Sequence, residues 1–141
     1  MSNRLFTFMT TAMALISVII TGCKGEKQLT LAEIRSEFEE RHIQLTSSKA
    51  SISSSVFARP YNGAKPSLYT IHGEQDPSVS IYVYPSADAA AAGFKEFEDK
   101  TATADLIAHK EYLIANVMLF YIVNEPSEVE QIDLTISALR S

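Results

Sequence analysis

Val117-Met118-Leu119-Phe120-Tyr121-Ile122-Val123 is a run of seven apolar residues with no polar interruption. Side chains along a strand point alternately to the two sides of its sheet, so a run without alternation belongs to a strand covered on both sides. Ala115-Asn116 stands immediately before it, where a two-residue hairpin turn belongs, and Asn tolerates the positive φ such turns require. The hairpin partner is residues 109–114, which alternate imperfectly, and Asn124-Glu125-Pro126 ends the central strand. An antiparallel pair at the middle of a sheet is therefore the centre of the fold.

Moving toward the N-terminus, residues 78–84 give a clearer alternation. Val79, Ile81 and Val83 are interleaved with Ser78, Ser80, Tyr82 and Tyr84, the period of a half-buried strand. Residues 68–72 form a shorter strand, joined to it by the hairpin loop Gly73-Glu74-Gln75-Asp76-Pro77. His72, Glu74 and Asp76 are the nearest approach to a metal-ligand cluster, but imidazole and carboxylate groups on a turn are ordinarily solvated, so neither a metal nor a cofactor is expected. Between the strand pairs, Ser86 caps a helix whose inner stripe is Ala87, Ala90, Ala91, Phe94 and Phe97, with Asp88 favourably placed for the helix dipole. After the central strand, Ser127 and Glu130 have capping-box spacing, and Val129, Ile132, Ile136 and Leu139 line one face of a final helix.

The first helix starts with the same device. Thr30 caps, Glu33 reaches back, Leu29 and Ile34 form a hydrophobic staple, and Leu31, Ile34, Phe38 and Leu45 make the apolar stripe. Serines at 47, 48, 51, 53, 54 and 55 then mark a loop or a frayed edge. Arg59-Pro60-Tyr61-Asn62-Gly63-Ala64-Lys65-Pro66 is a turn, with two prolines bracketing Asn-Gly. It gathers Arg59, Tyr61, Asn62 and Lys65, the most concentrated polar cluster in the chain, on the kind of segment that carries function.

The expected fold is a single α+β domain in the order α-β-β-α-β-β-α, a four-stranded, mainly antiparallel sheet with its helices on one face. In that arrangement Val79, Ile81 and Val83 face the helices, while Tyr82 and Tyr84, joined by Phe120 or Tyr121, face away. Those tyrosines become a candidate partner surface unless the Ser-rich segment and Val56-Phe57 fold over them.

The N-terminus supplies an address. Arg4, an apolar run over residues 5–20, and the small residues Thr21 and Gly22 before Cys23 have the layout of a secretory signal. Sixteen apolar-run residues fall short of the roughly 20 that span a bilayer. Ile20-Thr21-Gly22-Cys23 resembles the bacterial lipobox, in which the cysteine sulfur takes a diacylglyceryl group and the preceding peptide is removed. Residues 1–22 are then a signal peptide, residues 23–29 the lipidated cysteine and a short tether, and residues 30–141 the domain. Cleavage before Cys23 leaves 119 of the 141 residues and, with Arg4 gone, moves the net charge from −5 to −6. Two or more acyl chains anchor stably where one does not. Cys23 is the chain's only cysteine, so lipidation excludes disulfides and thiol catalysis, and the acidic balance argues against nucleic acid. The expected location is the extracytoplasmic side of a cell membrane.

Asn62-Gly63-Ala64-Lys65-Pro66 with Tyr69, Ile81-Tyr82-Val83-Tyr84, Lys100-Thr101-Ala102-Thr103, and Asn116-Val117 opening Leu119-Phe120-Tyr121 are the residues of a wider likeness. Over residues 31–139 the chain resembles a group of small, functionally uncharacterised lipoproteins of Gram-positive bacteria. The resemblance implies a lipid anchor and a single domain, and implies no activity. Three readings follow. The first is a non-enzymatic envelope module binding an envelope partner through Tyr82 and Tyr84 or the Arg59–Lys65 loop. The second is a small-ligand-binding lipoprotein, which a concave site with convergent polar groups would favour. The third is an envelope hydrolase, for which His42, His72 and His109 are available but lie in no motif with Ser, Asp or Glu.

Overall fold

The computed structural model describes residues 26–50 and 55–141. The signal segment, Cys23 with the start of the tether, and the serines at 51, 53 and 54 lie outside the described residues.

The elements run α1 (Leu31–Glu40), β1 (Leu45–Ser47), a 3₁₀ turn at Ser55–Ala58, β2 (Ser67–Ile71), β3 (Val79–Val83), α2 (Ala87–Thr101), β4 (His109–Ile114), β5 (Val117–Ile122), a 3₁₀ turn at Pro126–Glu128 and α3 (Val129–Arg140). The strands form one sheet in the order β1-β2-β3-β5-β4, every neighbouring pair antiparallel. The α+β class holds, with five strands in place of four. The added strand, β1, falls where the sequence reads as frayed edge. Three residues with a single buried side chain, Leu45, carry almost no strand signal, and the pairing with β2 is tertiary in origin.

β5 sits between β3 and β4, with Val79 opposite Tyr121, Ile81 opposite Leu119 and Ile114 opposite Val117. All six of its residues are buried. Val117, Leu119 and Tyr121 point into a cluster with Ile34 and Phe38 of α1 and Ile132, Ile136 and Leu139 of α3. Met118, Phe120 and Ile122 point the other way, into a cluster with Phe57, Tyr61, Tyr82, Tyr84 and the α2 residues Ala90 and Phe97. The helices therefore lie on both faces, α1 and α3 on one and α2 on the other, which corrects the expected one-sided packing. The unbroken run at 117–122 required cover on both sides, and a large apolar side chain gains about 1.5–3 kcal/mol on burial, so a bare second face would forfeit most of that for each such residue.

Local chemistry sets the ends of the elements. At α1, Thr30 Oγ1 accepts from the Glu33 N–H at 3.2 Å while the Glu33 carboxylate accepts from the Thr30 N–H at 2.7 Å, completing the capping box. These bonds from the Thr30 backbone and hydroxyl hold the Glu33 carboxyl below its ordinary range. Ser86 caps α2 through the Ala89 N–H. The second capping box does not form: α3 is entered through the 3₁₀ turn at Pro126–Glu128, and its N-cap is Glu128 without a side-chain bond. In the β4–β5 turn the positive φ, 47°, belongs to Ala115 and not to Asn116. Asn116 is instead 2 % exposed, and its side chain is a clamp. Its Oδ1 accepts from the Leu29 N–H at 2.7 Å, and its Nδ2 donates to the Leu29 and Tyr84 carbonyls at 3.1 and 2.8 Å.

Candidate functional site

The Arg59–Lys65 loop turns tightly. Asn62 and Gly63 take φ of 43° and 76°, and Tyr61 and Ala64 exchange backbone hydrogen bonds of 3.0 and 3.1 Å across them. The loop is held against α2, where the Glu96 carboxylate accepts from the Asn62 N–H and the Ala89 carbonyl accepts from Asn62 Nδ2 at 3.0 Å. Lys100 pairs with Glu96 and lies 5.8 Å from the centre of the Tyr61 ring. Asn62 is thus tied to α2 by two hydrogen bonds while remaining exposed, and Arg59 and Lys65 are exposed beside it.

The tyrosines do not form a surface. Tyr61, Tyr82 and Tyr84 are all under 4 % exposed, which removes the candidate aromatic partner face. α2 and Val56-Phe57 cover it. Tyr61 meets Phe97 edge-on at 5.6 Å, and Tyr82 meets Phe120 edge-on at 5.9 Å. Their hydroxyls all donate to one short stretch of backbone. Tyr61 Oη reaches the Val56 carbonyl at 2.7 Å, and Tyr82 Oη the Arg59 and Phe57 carbonyls at 2.8 and 3.1 Å. Tyr84 Oη reaches the Tyr61 carbonyl at 3.0 Å, and Ser80 Oγ the Phe57 carbonyl at 2.6 Å. Residues 56–61 have little regular structure, so their carbonyls need partners from elsewhere once buried. The polar positions of β3 are those partners. Burial pushes the Tyr84 phenol up to about 12 and Tyr82 higher still, and raises Tyr61.

A different concave site lies beside the N-terminal segment. A cleft of about 390 Å³ is lined on the segment side by Gln28, Leu29, Thr30 and Leu31. The sheet side contributes Ser67, Ile81, Val83 and Tyr84, with Lys65 and Asn116 completing it. The Asn116 clamp holds Leu29 here, and Gln28 Nε2 donates to the Pro85 carbonyl at 2.9 Å. Val83, expected in the core, is 38 % exposed and faces this space. Lys65 is exposed and makes no hydrogen bond or ion pair among the described residues, so the cleft combines an uncompensated cation with the apolar side chains of Leu31, Ile81 and Val83. Of the loop and tyrosine residues singled out from sequence, Lys65 and Tyr84 line the cleft, whereas Arg59, Tyr61, Asn62 and Tyr82 do not.

The histidines stand apart from the cleft. His42 and His72 occupy left-handed turn positions, with φ of 62° and 50°. His109 packs against Phe57 at 4.8 Å, its Nε2 lies 2.8 Å from Glu111, and its Nδ1 lies 2.7 Å from the Ile107 carbonyl. Among the described residues no three His, Cys, Asp or Glu side chains are grouped to hold a metal, and no helix is long and apolar enough to cross a membrane. Compared with models of known families, with curated proteins and with solved structures, the chain matches none.

Proposed function

We propose that this protein is a membrane-anchored envelope lipoprotein acting as a non-catalytic binding module, and that its ligand is a small amphipathic anion taken into the cleft beside the N-terminal segment. The observation that carries the ligand reading is the juxtaposition of Lys65, unpaired among the described residues, with Leu31, Ile81 and Val83 in one cleft. A carboxylate or phosphate placed near the ammonium would leave its apolar portion against Leu31 and Val83, the usual division of labour in a small-molecule pocket. The anchor reading rests on the lipobox-like Ile20-Thr21-Gly22-Cys23 after an apolar run, with Cys23 carrying lipid on the extracytoplasmic side. Burial of Tyr61, Tyr82 and Tyr84 turns the reading from an envelope protein partner on the sheet face to a small ligand.

The test is a benzoate titration of the full-length protein in lipid nanodiscs, followed by backbone amide shifts. Saturable shifts confined to Leu31, Lys65, Val83 and Asn116, and lost in Lys65→Ala, are expected. Shifts scattered over the surface, or unchanged in Lys65→Ala, would sink the ligand reading. Intact mass of the membrane-extracted chain tests the anchor separately: an unlipidated chain retaining residues 1–22 is incompatible with it.

A further inference from the structure

Residues 27–29, at the entry to the domain, are held against it. Lys27 Nζ donates to the Leu139 carbonyl at 3.0 Å, Gln28 to the Pro85 carbonyl, and Leu29 is held on both sides of its peptide by Asn116. These contacts belong to one pole of the molecule. Val83 pairs with Val117 beside the β4–β5 turn, α1 and α2 begin here, and α3 ends here. Cys23 is four residues from Lys27, and four extended residues span at most about 14 Å.

Val83, paired with Val117, and Leu113, paired with Met118, are partly exposed apolar side chains at this pole, at 38 % and 37 %, and project from opposite faces of the sheet. Exposed apolar side chains alone do not distinguish the poles, since Ile107 at the far pole is 43 % exposed. Charge does. Lys27, Lys65 and Arg140 lie at this pole with Glu26, Asp88 and Glu33, the last occupied in its cap. The far pole collects Glu37, Glu39 and Glu40 from the end of α1, Glu98 and Asp99 from the end of α2, Glu125, Glu128 and Glu130 from the start of α3, and Glu74 and Asp76 from the β2–β3 turn. Arg41, Lys100 and Lys110 offset only part of it. Acidic residues at the C-terminal ends of α1 and α2 oppose the helix dipole, although Glu37 and Asp99 pair with Arg41 and Lys95 one turn away.

We infer that the pole formed by residues 27–31, Val83, the β4–β5 turn and the end of α3 rests on an anionic lipid surface, with the acidic pole facing away from it. This rests on the reading of Cys23 as the anchor. The short tether brings the pole to the bilayer, Val83 and Leu113 enter the headgroup boundary, and repulsion between the acidic pole and anionic headgroups holds the orientation against tumbling. The cleft, with Lys65, lies at the same pole.

The chain contains no tryptophan, so single insertions report cleanly. Val83→Trp and Leu113→Trp are compared with Ile107→Trp, whose position precedes β4 at the far pole, in full-length lipidated protein on phosphatidylglycerol vesicles containing brominated acyl chains. Quenching at 83 and 113 at least about twofold that at 107 is expected for side chains at the headgroup boundary, and the ratio falls when phosphatidylcholine replaces the anionic lipid. In unsubstituted protein, amine labelling read by mass spectrometry gives the same answer without a variant. Lys27 and Lys65 gain protection on membranes relative to detergent, whereas Lys95 and Lys110 do not. A lipidated mass with equal quenching and uniform labelling overturns the orientation and leaves the anchor standing. An unlipidated mass overturns both.

Discussion

Gly93 lies inside α2 and is buried, and the Tyr84 ring packs across it. A Cβ added there would stand 2.6 Å from Tyr84 Cζ and 3.0 Å from Cε1, and closer still to the hydroxyl. The ring has nowhere to retreat, because Tyr84 is 3 % exposed and its hydroxyl is bonded to the Tyr61 carbonyl. Gly93→Ala therefore sets two effects against each other. Helix propensity favours alanine by about 0.8–1.0 kcal/mol. Overpacking costs about 1–3 kcal/mol, and loss of the Tyr84 hydrogen bond with its carbonyl left buried adds about 1–3 kcal/mol. The net expectation is destabilisation by roughly 1–5 kcal/mol, read in urea unfolding as a lower midpoint at unchanged slope. A cycle with Tyr84→Phe, which removes the most crowded atom, should show coupling of about 0.5 kcal/mol or more between the sites. A Gly93→Ala protein as stable as the parent, or more stable, would refute the close approach of the ring to the helix.

Asn116→Ala removes the partners of the Leu29 N–H and of two carbonyls, and should cost about 2–4 kcal/mol; it should also expose the Leu29 amide to hydrogen exchange well ahead of β5. Tyr82→Phe should cost about 1–3 kcal/mol through the stranded Arg59 carbonyl, the Phe57 carbonyl keeping its bond from Ser80, with loss of amide protection concentrated in residues 55–61. Five of the six tyrosines, 61, 82, 84, 112 and 121, have phenols raised by burial. Their contribution to stability is complete below the unfolded value near pH 10 and is lost as pH rises through the folded values, about 12 for Tyr84. Absorbance at 295 nm should accordingly show a steep phenolate transition coincident with loss of near-ultraviolet circular dichroism. A gradual titration of these five near pH 10 with the fold intact would contradict it.

Much of the fold could be read in advance where side-chain period and cap chemistry agree. β4 has the limits read from the sequence, α1 has its capping box, and the Asn62-Gly63 turn lies between its prolines. The layering could not. Ser80, Tyr82 and Tyr84 alternate with valine and isoleucine as solvent-facing residues do, yet they are donors to buried irregular backbone. Period alone does not distinguish a hydroxyl pointing at water from one pointing at a carbonyl. Ser127 and Glu130 have the spacing of a capping box, but Pro126 starts a 3₁₀ turn one residue earlier and takes α3 through it. The cleft was the least legible feature. Its lining comes from residues 28–31, 65, 67, 81, 83, 84 and 116, and the clamp that assembles it is an asparagine whose local sequence reads as an ordinary turn residue.

The position of β5 in the sheet has a kinetic consequence. It is the strand on which both apolar layers rest, and it lies in the last quarter of the chain. A chain synthesised or threaded as far as residue 116 has β1, β2 and β3 as a meander, β4 without its neighbour, and helices with no floor to pack on. Closing β3 onto β5 must then enclose all of α2 and β4 in one step, and that loop entropy is lost before the contacts repay it. Such a chain stays loosely structured until nearly its full length is available, and then folds as a unit.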